Sequence, residues 1–244
     1  TNAALAMVGM VANEPEIDVP DRPTIGITMF GVTTPCVQQA RALLEDRGYE
    51  TIVFHATGTG GQAMESLIKQ GLIDAVLDVT TTEWADEHVG GVLGAGSERL
   101  TAAGKQGIPQ VVSLGALDMV NFGPEETIPE AFRGRRLHKH NPQVTLMRTT
   151  PEENAELGEI IAQKLNEATG PTAVALPLEG VSMLSAEGEP FHDPDADKAL
   201  FESVRQHLAD HVELIEIEAS INDPEFAETI AAKLHTYVQN PPPE

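Results

Sequence analysis

Thr24-Ile25-Gly26-Ile27-Thr28-Met29-Phe30-Gly31-Val32-Thr33-Thr34-Pro35 is the stretch that decides the fold class. Its first seven residues have the length and β-branched content of a buried strand, Gly31 breaks the run, and a helix is expected from about Pro35. The same unit recurs. Thr51-Ile52-Val53-Phe54 leads into a glycine-rich turn and a helix reaching Lys69. Ala75-Val76-Leu77-Asp78-Val79 leads into the polar turn Thr80-Thr81-Thr82-Glu83, and a helix near residues 97–105 precedes the strand Gln110-Val111-Val112-Ser113-Leu114. Apolar strands alternating with helices imply parallel pairing, hence an α/β fold: a doubly wound, mostly parallel Rossmann-like sheet with helices on both faces.

Outward from these units, residues 1–23 read as a connecting helix and a Pro- and acid-rich linker from an N-terminal half, and residues 24–240 as one α/β ligand-binding domain. Residues 121–141 show no clear period and contain Pro124, Pro129 and a basic cluster at Arg133, Arg135 and Arg136, so they read as a long ordered loop or lid. A short strand at 144–147 and a helix opening at Thr150-Pro151-Glu152-Glu153 follow, with acids facing the helix dipole. Strands at 173–176 and 212–218 and helices at 196–209 and 224–238 complete the domain.

Charge narrows the function classes. Among 244 residues, 38 acidic against 15 basic side chains give a formal charge of −23, which repels phosphodiester backbones and argues against nucleic acid as a partner. The same surface also suits a high-salt source. Cys36 is the single cysteine, so neither an intrachain disulfide nor a Cys-rich zinc site is expected and a reducing cytoplasm is the simplest setting. No apolar run has membrane-span length, so no membrane partner is expected.

In an open parallel sheet, ligands bind beyond the carboxyl ends of the strands. Those positions hold Gly31, Thr33 and Thr34; His55, Thr57, Gly58, Thr59, Gly60 and Gly61; Thr80, Thr81, Thr82 and Glu83; and Asp118 with Asn121. Backbone amides of the 57–61 loop can approach an anion, and the following helix points its N-terminus there. The loop is neither a GxxxxGK[ST] nor a GxGxxG pattern, and its glycines also suit a plain tight turn. Thr33 and Thr34 either cap the first helix or also touch a ligand. His138, His140, Asn141 and Arg148, with Arg135 and Arg136, form a positive island suited to clamping an anion. Glu83, Asp118, His55 and His140 are the acid/base candidates. The two lid histidines lack a clear third ligand, so no metal site is assigned, although a magnesium accompanying a phosphate needs only a carboxylate or two. Cys36 has no base beside it and reads as inert, and Asp193 and Asp223 read equally as helix caps.

The stretches 28–37, 54–61, 78–83, 115–123 and 140–149, in that order, resemble the tomato mosaic virus resistance protein family, a group of bacterial, archaeal, fungal and plant proteins. The chain resembles its C-terminal half. The resemblance implies ATP or a similar nucleotide as cofactor, since the plant member binds ATP and inhibits tobamovirus RNA replication. It also implies a homodimer, and as a partner a preceding α/β half or an aldolase-like barrel. His192 stands where the family's pattern leads one to expect tryptophan. Two functions remain open: a small-molecule-binding module taking a nucleotide or a phosphorylated or carboxylated metabolite, or an enzyme acting on such a molecule.

Overall fold

A computed structural model describes residues 2–12 and 22–240. Helix α1 (Asn2–Ala12) has an apolar sequence and no buried residue. The remaining linker positions, 13–21, lie outside the described residues. Four strands and their helices then follow closely where the sequence places them: β1 (Thr24–Met29), α2 (Thr34–Asp46), β2 (Glu50–His55), α3 (Thr59–Lys69), β3 (Ala75–Thr80) and β4 (Gln110–Gly115). Later come α6 (Pro151–Asn166), β8 (Thr172–Pro177), α7 (Pro194–His207), β9 (Glu213–Ile217) and α8 (Pro224–Gln239), with α4 (Glu83–Val89), α5 (Ala102–Gln106), β5 (Met119–Phe122), β6 (Leu137–Asn141) and β7 (Val144–Arg148) between.

Six strands form one sheet in the order β2-β1-β3-β4-β8-β9, every neighbouring pair parallel. Alternation along each strand assigns its two faces. Ile25, Ile27, Leu77, Val111 and Ala173 point to a core shared with α2 and α8. Val112, Leu114, Val174 and Leu176 point to the opposite core with α6 and α7, while Val76 joins α3 and α5 on that second face. Helices therefore cover both faces, as β-strands that are apolar on both sides require. Local chemistry fixes the ends: Thr150 accepts from the Glu153 amide while the Glu153 carboxylate accepts from Thr150 N, a reciprocal cap, and Asp193 accepts from Ala196 N at the start of α7.

Three departures from the sequence reading matter. Residues 83–89 are helical, not an extension of a polar turn, and end at Gly90 in the left-handed conformation (φ 103°). The helix expected at 97–105 shrinks to α5, because residues 97–100 form turns and Leu100 takes a left-handed backbone (φ 69°) with its amide on Glu65. The segment read as a loop or lid contains the end of β5 and all of β6, which pair antiparallel with β7 into a second sheet of order β5-β7-β6. Strand β5 pairs with β7 more than twenty positions on, and β6, Leu-His-Lys-His-Asn, forms a hairpin with β7 but is polar and half exposed, so local pattern hides both.

The small sheet has two different faces. Val120, Phe122 and Met147 pack into the core of α6 and α7. Met119 and Leu146 face the other way, with Val144 beside them, against Val32, Ala116 and Phe191. Val32, on the segment that follows β1, is thereby brought against the small sheet.

Candidate functional site

Strand ends converge here in two quite different ways. The first centres on Arg99, whose side chain is 1% exposed and meets three carboxylates: Asp78 at 2.5 Å, Glu83 at 2.7 Å and Glu65 at 3.6 Å. Burial alone would lower its pKa, but the carboxylates outweigh that and hold the guanidinium charged. Glu65 is pushed up by burial, against the pull of Arg99, and accepts from the amides of Leu100 and Ala102. Glu83 Oε1 accepts from Gly58 N at 2.6 Å and Gly61 N at 3.0 Å. The glycine loop thus binds an anion, but the anion is a side chain of the same protein.

That arrangement reassigns several sequence candidates. Gly58 and Gly61 donate to Glu83, and a Cβ on Gly61 would overlap the Glu83 carboxylate, so close approach, not ligand binding, requires that glycine. Gly60 lies against the His55 carbonyl with the same result. Thr59 is exposed at the start of α3. Thr80 Oγ1 shares a hydrogen bond with Thr33 Oγ1 at 2.7 Å, Thr81 Oγ1 donates to Ser113 O, and Thr34 Oγ1 donates to Phe30 O. Thr82 is buried with its hydroxyl unpartnered among the described residues. Glu83 is fully buried and committed to Arg99 and the loop amides, which leaves it no reach to an external substrate in this geometry.

Asp118 is likewise buried. Its Oδ2 accepts from Ser182 Oγ at 2.7 Å, and burial pushes its pKa up to about 6 despite Arg148 nearby. The basic island is neutralised within the chain. Arg135 makes a forked pair with Glu153, Arg136 lies 3.9 Å from Asp193, and Arg148 pairs with Asp197 at 2.5 Å while donating to Phe191 O. Arg148 is 3% exposed and serves packing. His138 sets its ring edge against Phe191, 6.0 Å between centroids, and His192 bonds Ser185 O through its ring. Burial raises the Cys36 thiol to about 12, in keeping with an inert side chain.

The second convergence is a cavity of about 450 Å³ at the carboxyl ends of β1 and β2, roofed by the small sheet. Six sequence candidates line it: Gly31, His55, Thr57, Asn121, His140 and Asn141. Phe30, Val32, Leu93, Val144 and Leu146 supply an apolar wall that the sequence reading did not single out. The period-2 pattern Val144, Leu146 against Thr145, Met147 is the signal that would have found part of it. Neither His55 nor His140 has a hydrogen-bond partner for its ring among the described residues, though His55 packs against Phe30 at 5.7 Å.

Asn121 is the buried polar member of the wall. Asp86, on α4, takes the Asn121 backbone amide and Leu93 N on Oδ1 and Asn121 Nδ2 at 2.6 Å on Oδ2. Burial pushes Asp86 up to about 6. This pair ties the loop that carries Leu93 to β5. No lining residue of the cavity is acidic, and none is Lys or Arg. Among the described residues, no group of three or more His, Cys, Asp or Glu is placed to hold a metal ion, and no helix is long and apolar enough to cross a membrane.

Comparison with known proteins gives one consistent answer. A family model described as the C-terminal domain of an uncharacterised protein family, UPF0261, matches residues 22–238. A UPF0261 protein of Clostridium tetani is 57% identical over 236 residues, covering 96% of this chain and 58% of the relative. One from Rhizobium meliloti is 50% identical over 233 residues, covering 95% of this chain and 58% of the relative. A ToMV resistance protein of Solanum lycopersicum is 48% identical over 238 residues, 94% of this chain and 31% of the plant protein, and a ToMV susceptible protein of the same plant is also 48% identical. The chain therefore spans less than two thirds of the length of these relatives.

Proposed function

Taking as premise that this chain belongs to the UPF0261 family, as its C-terminal domain, we propose that it binds a small anionic molecule, a nucleotide such as ATP or a phosphorylated or carboxylated metabolite. The site is the cavity between the ends of β1 and β2 and the sheet β5-β7-β6. One observation carries this reading: Gly31, His55, Thr57, Asn121, His140 and Asn141, from four separate segments, line a single cavity at the position where open parallel sheets take ligands.

Charge supports an anion. In a chain of net charge −23, a cavity wall without a carboxylate is where a negative group meets least repulsion. Two imidazoles, a threonine and two asparagines supply polar lining, and the apolar wall suits a ring or short chain carried by the same ligand. Of the 57–61 loop only Thr57 lines the cavity, since Glu83 already takes the amides of Gly58 and Gly61. Magnesium finds no carboxylate on this wall, so it would be carried by the ligand's own phosphates.

The enzymatic alternative is weaker on this geometry. Glu83 and Asp118 are buried away from the cavity, and acid–base work would fall to His55 and His140, to which no orienting carboxylate is bonded. Binding without chemistry is therefore the reading we adopt, and a homodimer or a preceding domain belongs to the same proposal only as context for it.

Gly31 gives a clean test. A Cβ added there meets nothing within 4 Å, so Gly31→Leu puts a bulky side chain on a lining position whose first added atom has open space. ATP, AMP, phosphosugars and dicarboxylates, with and without magnesium, are screened by thermal shift against the wild type and this variant. A ligand at about a hundred times its Kd stabilises by roughly 2.7 kcal/mol, a rise of roughly 5–10 °C. A shift in the wild type that disappears in Gly31→Leu supports the site. No shift with any of these compounds, or one that Gly31→Leu leaves intact, removes it.

A further inference from the structure

His55 stands at the end of β2 and His140 near the end of β6, so the cavity receives one imidazole from each sheet. Both side chains are exposed, and neither ring has a hydrogen-bond partner among the described residues. Strand β6 is shaped to deliver the second ring. Its pairing with β7 runs from Leu137 opposite Met147 to Lys139 opposite Thr145, then slips by one residue, so that His140 and Asn141 together face one step of β7. A bulge of this kind breaks the strict alternation of a strand and re-aims a side chain. Here two consecutive residues both line the cavity. The cations of β6 and the turn before it do not follow them: Lys139 shares a face with Leu137, whose partner Met147 belongs to the core of α6 and α7, and Arg136 donates to the His192 carbonyl beside Asp193.

The rest of the wall leaves positive charge to these two rings. The end of β1 and the turn after it, the segment carrying Leu93, β5 and β7 contribute only uncharged lining residues. Behind β5 lies one titratable group, Asp86, which is buried with Oδ1 taken by the amides of Asn121 and Leu93 and Oδ2 by Asn121 Nδ2. A neutral imidazole offers an anion one N–H, whereas a protonated one offers two and a full charge, and such charge-assisted bonds are roughly twice as strong as neutral ones. Anion and proton therefore favour each other's binding, and by the same factor in both directions. We propose that the cavity takes up its anion together with protons: His55 and His140 become charged as the anion enters, and affinity falls as pH rises through the range in which histidines titrate. The inference rests on the proposed binding site and adds its regulation, with filling favoured at mildly acid pH and release on the alkaline side.

Phenyl sulfate is a suitable probe, because its ring suits the apolar wall and its negative charge stays constant between about pH 5.5 and 8, a span that brackets histidine titration. Benzyl alcohol offers the same ring without the charge. Calorimetric titration of the wild-type chain with phenyl sulfate should give a Kd about tenfold or more higher at the upper pH than at the lower, while benzyl alcohol shows no such trend. Both histidines are exposed, so His55→Gln and His140→Gln leave the fold intact and keep a donor that cannot titrate. Each should roughly halve the logarithmic change in Kd, and the double variant should abolish it. Asp86 is untouched in the double variant, so a trend that survives there comes from Asp86 and overturns the inference. An equal trend with benzyl alcohol, a wild-type affinity for phenyl sulfate that is flat in pH, or failure of phenyl sulfate to bind at any pH also overturns it, and the thermal screen then decides the site by itself. Phenyl sulfate binding that keeps its pH trend in Gly31→Leu puts the recognition elsewhere and overturns the inference and the site together.

Discussion

The glycine loop at 57–61 and the cavity beside it are built from the same kinds of residue on the same strand ends, yet one is closed and the other open. Around Arg99 each donor has found an internal acceptor: loop amides on Glu83, guanidinium on Asp78, the amides of Leu100 and Ala102 on Glu65. Across His55, in the cavity, two imidazoles are left without a hydrogen-bond partner among the described residues. A glycine-rich turn that looks made for phosphate is here an internal joint between α3 and α4, and the place for a guest lies one strand end away. Residue type alone does not separate these outcomes; what separates them is whether the chain supplies the counter-group.

The largest effect that could break this comparison is expected at Arg99. Arg99→Met removes the one cation among three buried carboxylates, and breaking a buried pair in this way typically costs about 3–5 kcal/mol or more. Thermal unfolding at neutral pH should drop by more than roughly 10 °C, or the variant should not fold. A melting point within a few degrees of wild type would mean the network is not the closed structural unit described. Gly60→Ala is the next largest, since a methyl group meets the His55 carbonyl; a loss of about 2–3 kcal/mol is expected from overpacking. An unchanged melting point there would reopen the loop to a role in binding.

How far the sequence reveals this difference follows from the range of the interactions. Strands β1, β3 and β4 and the caps of α6 and α7 are written locally, in apolar runs bounded by glycine and in Thr-Pro-Glu-Glu or Asp-Pro signals, and they stand where those signals put them. Six cavity residues were also legible, because a parallel sheet directs attention to strand ends. Arg99 was not, since Ser97-Glu98-Arg99 reads as a solvated helix surface and its three partners lie 16 to 34 positions away in sequence. Asp86 and Leu93 were missed for the same reason: their importance comes from contact with β5, and β5 itself is defined only by antiparallel pairing with β7.

Asp118 sharpens the comparison from the side of protons. Its pKa in the folded state is about 6, above the ordinary value of 3.8, with burial as the main cause. Between roughly pH 4 and 6 the unfolded chain has released this proton and the folded chain has not, so stability falls as pH rises through that window and is flat above it. The total is on the order of 2–3 kcal/mol for a two-unit shift. Asp118→Asn keeps the uncharged shape and should reduce the slope of melting temperature against pH between 4 and 6. More than half of it should remain, because Asp86 is shifted to a similar degree and burial also raises Glu65 and Asp197. An unaltered slope would show that Asp118 ionises freely in the fold and has access to solvent, which would restore it as an acid/base candidate.

The smallest effect on stability is expected where the molecule is open. Gly31 comes just after β1 and Gly60 in the first turn of the helix that follows β2, but an added Cβ at Gly31 has space and at Gly60 has a carbonyl. Gly31 also lacks the positive φ that would make a side chain costly. Gly31→Leu should therefore shift the melting temperature of the free protein by no more than about 2 °C, since a substitution away from packing usually stays within about 0.5 kcal/mol. Differential scanning calorimetry of the two glycine variants side by side checks this. If Gly31→Leu destabilises as much as Gly60→Ala, the mouth of the cavity is packed closed like the Arg99 network, and the distinction between a joint that binds itself and a site that waits for a ligand no longer holds.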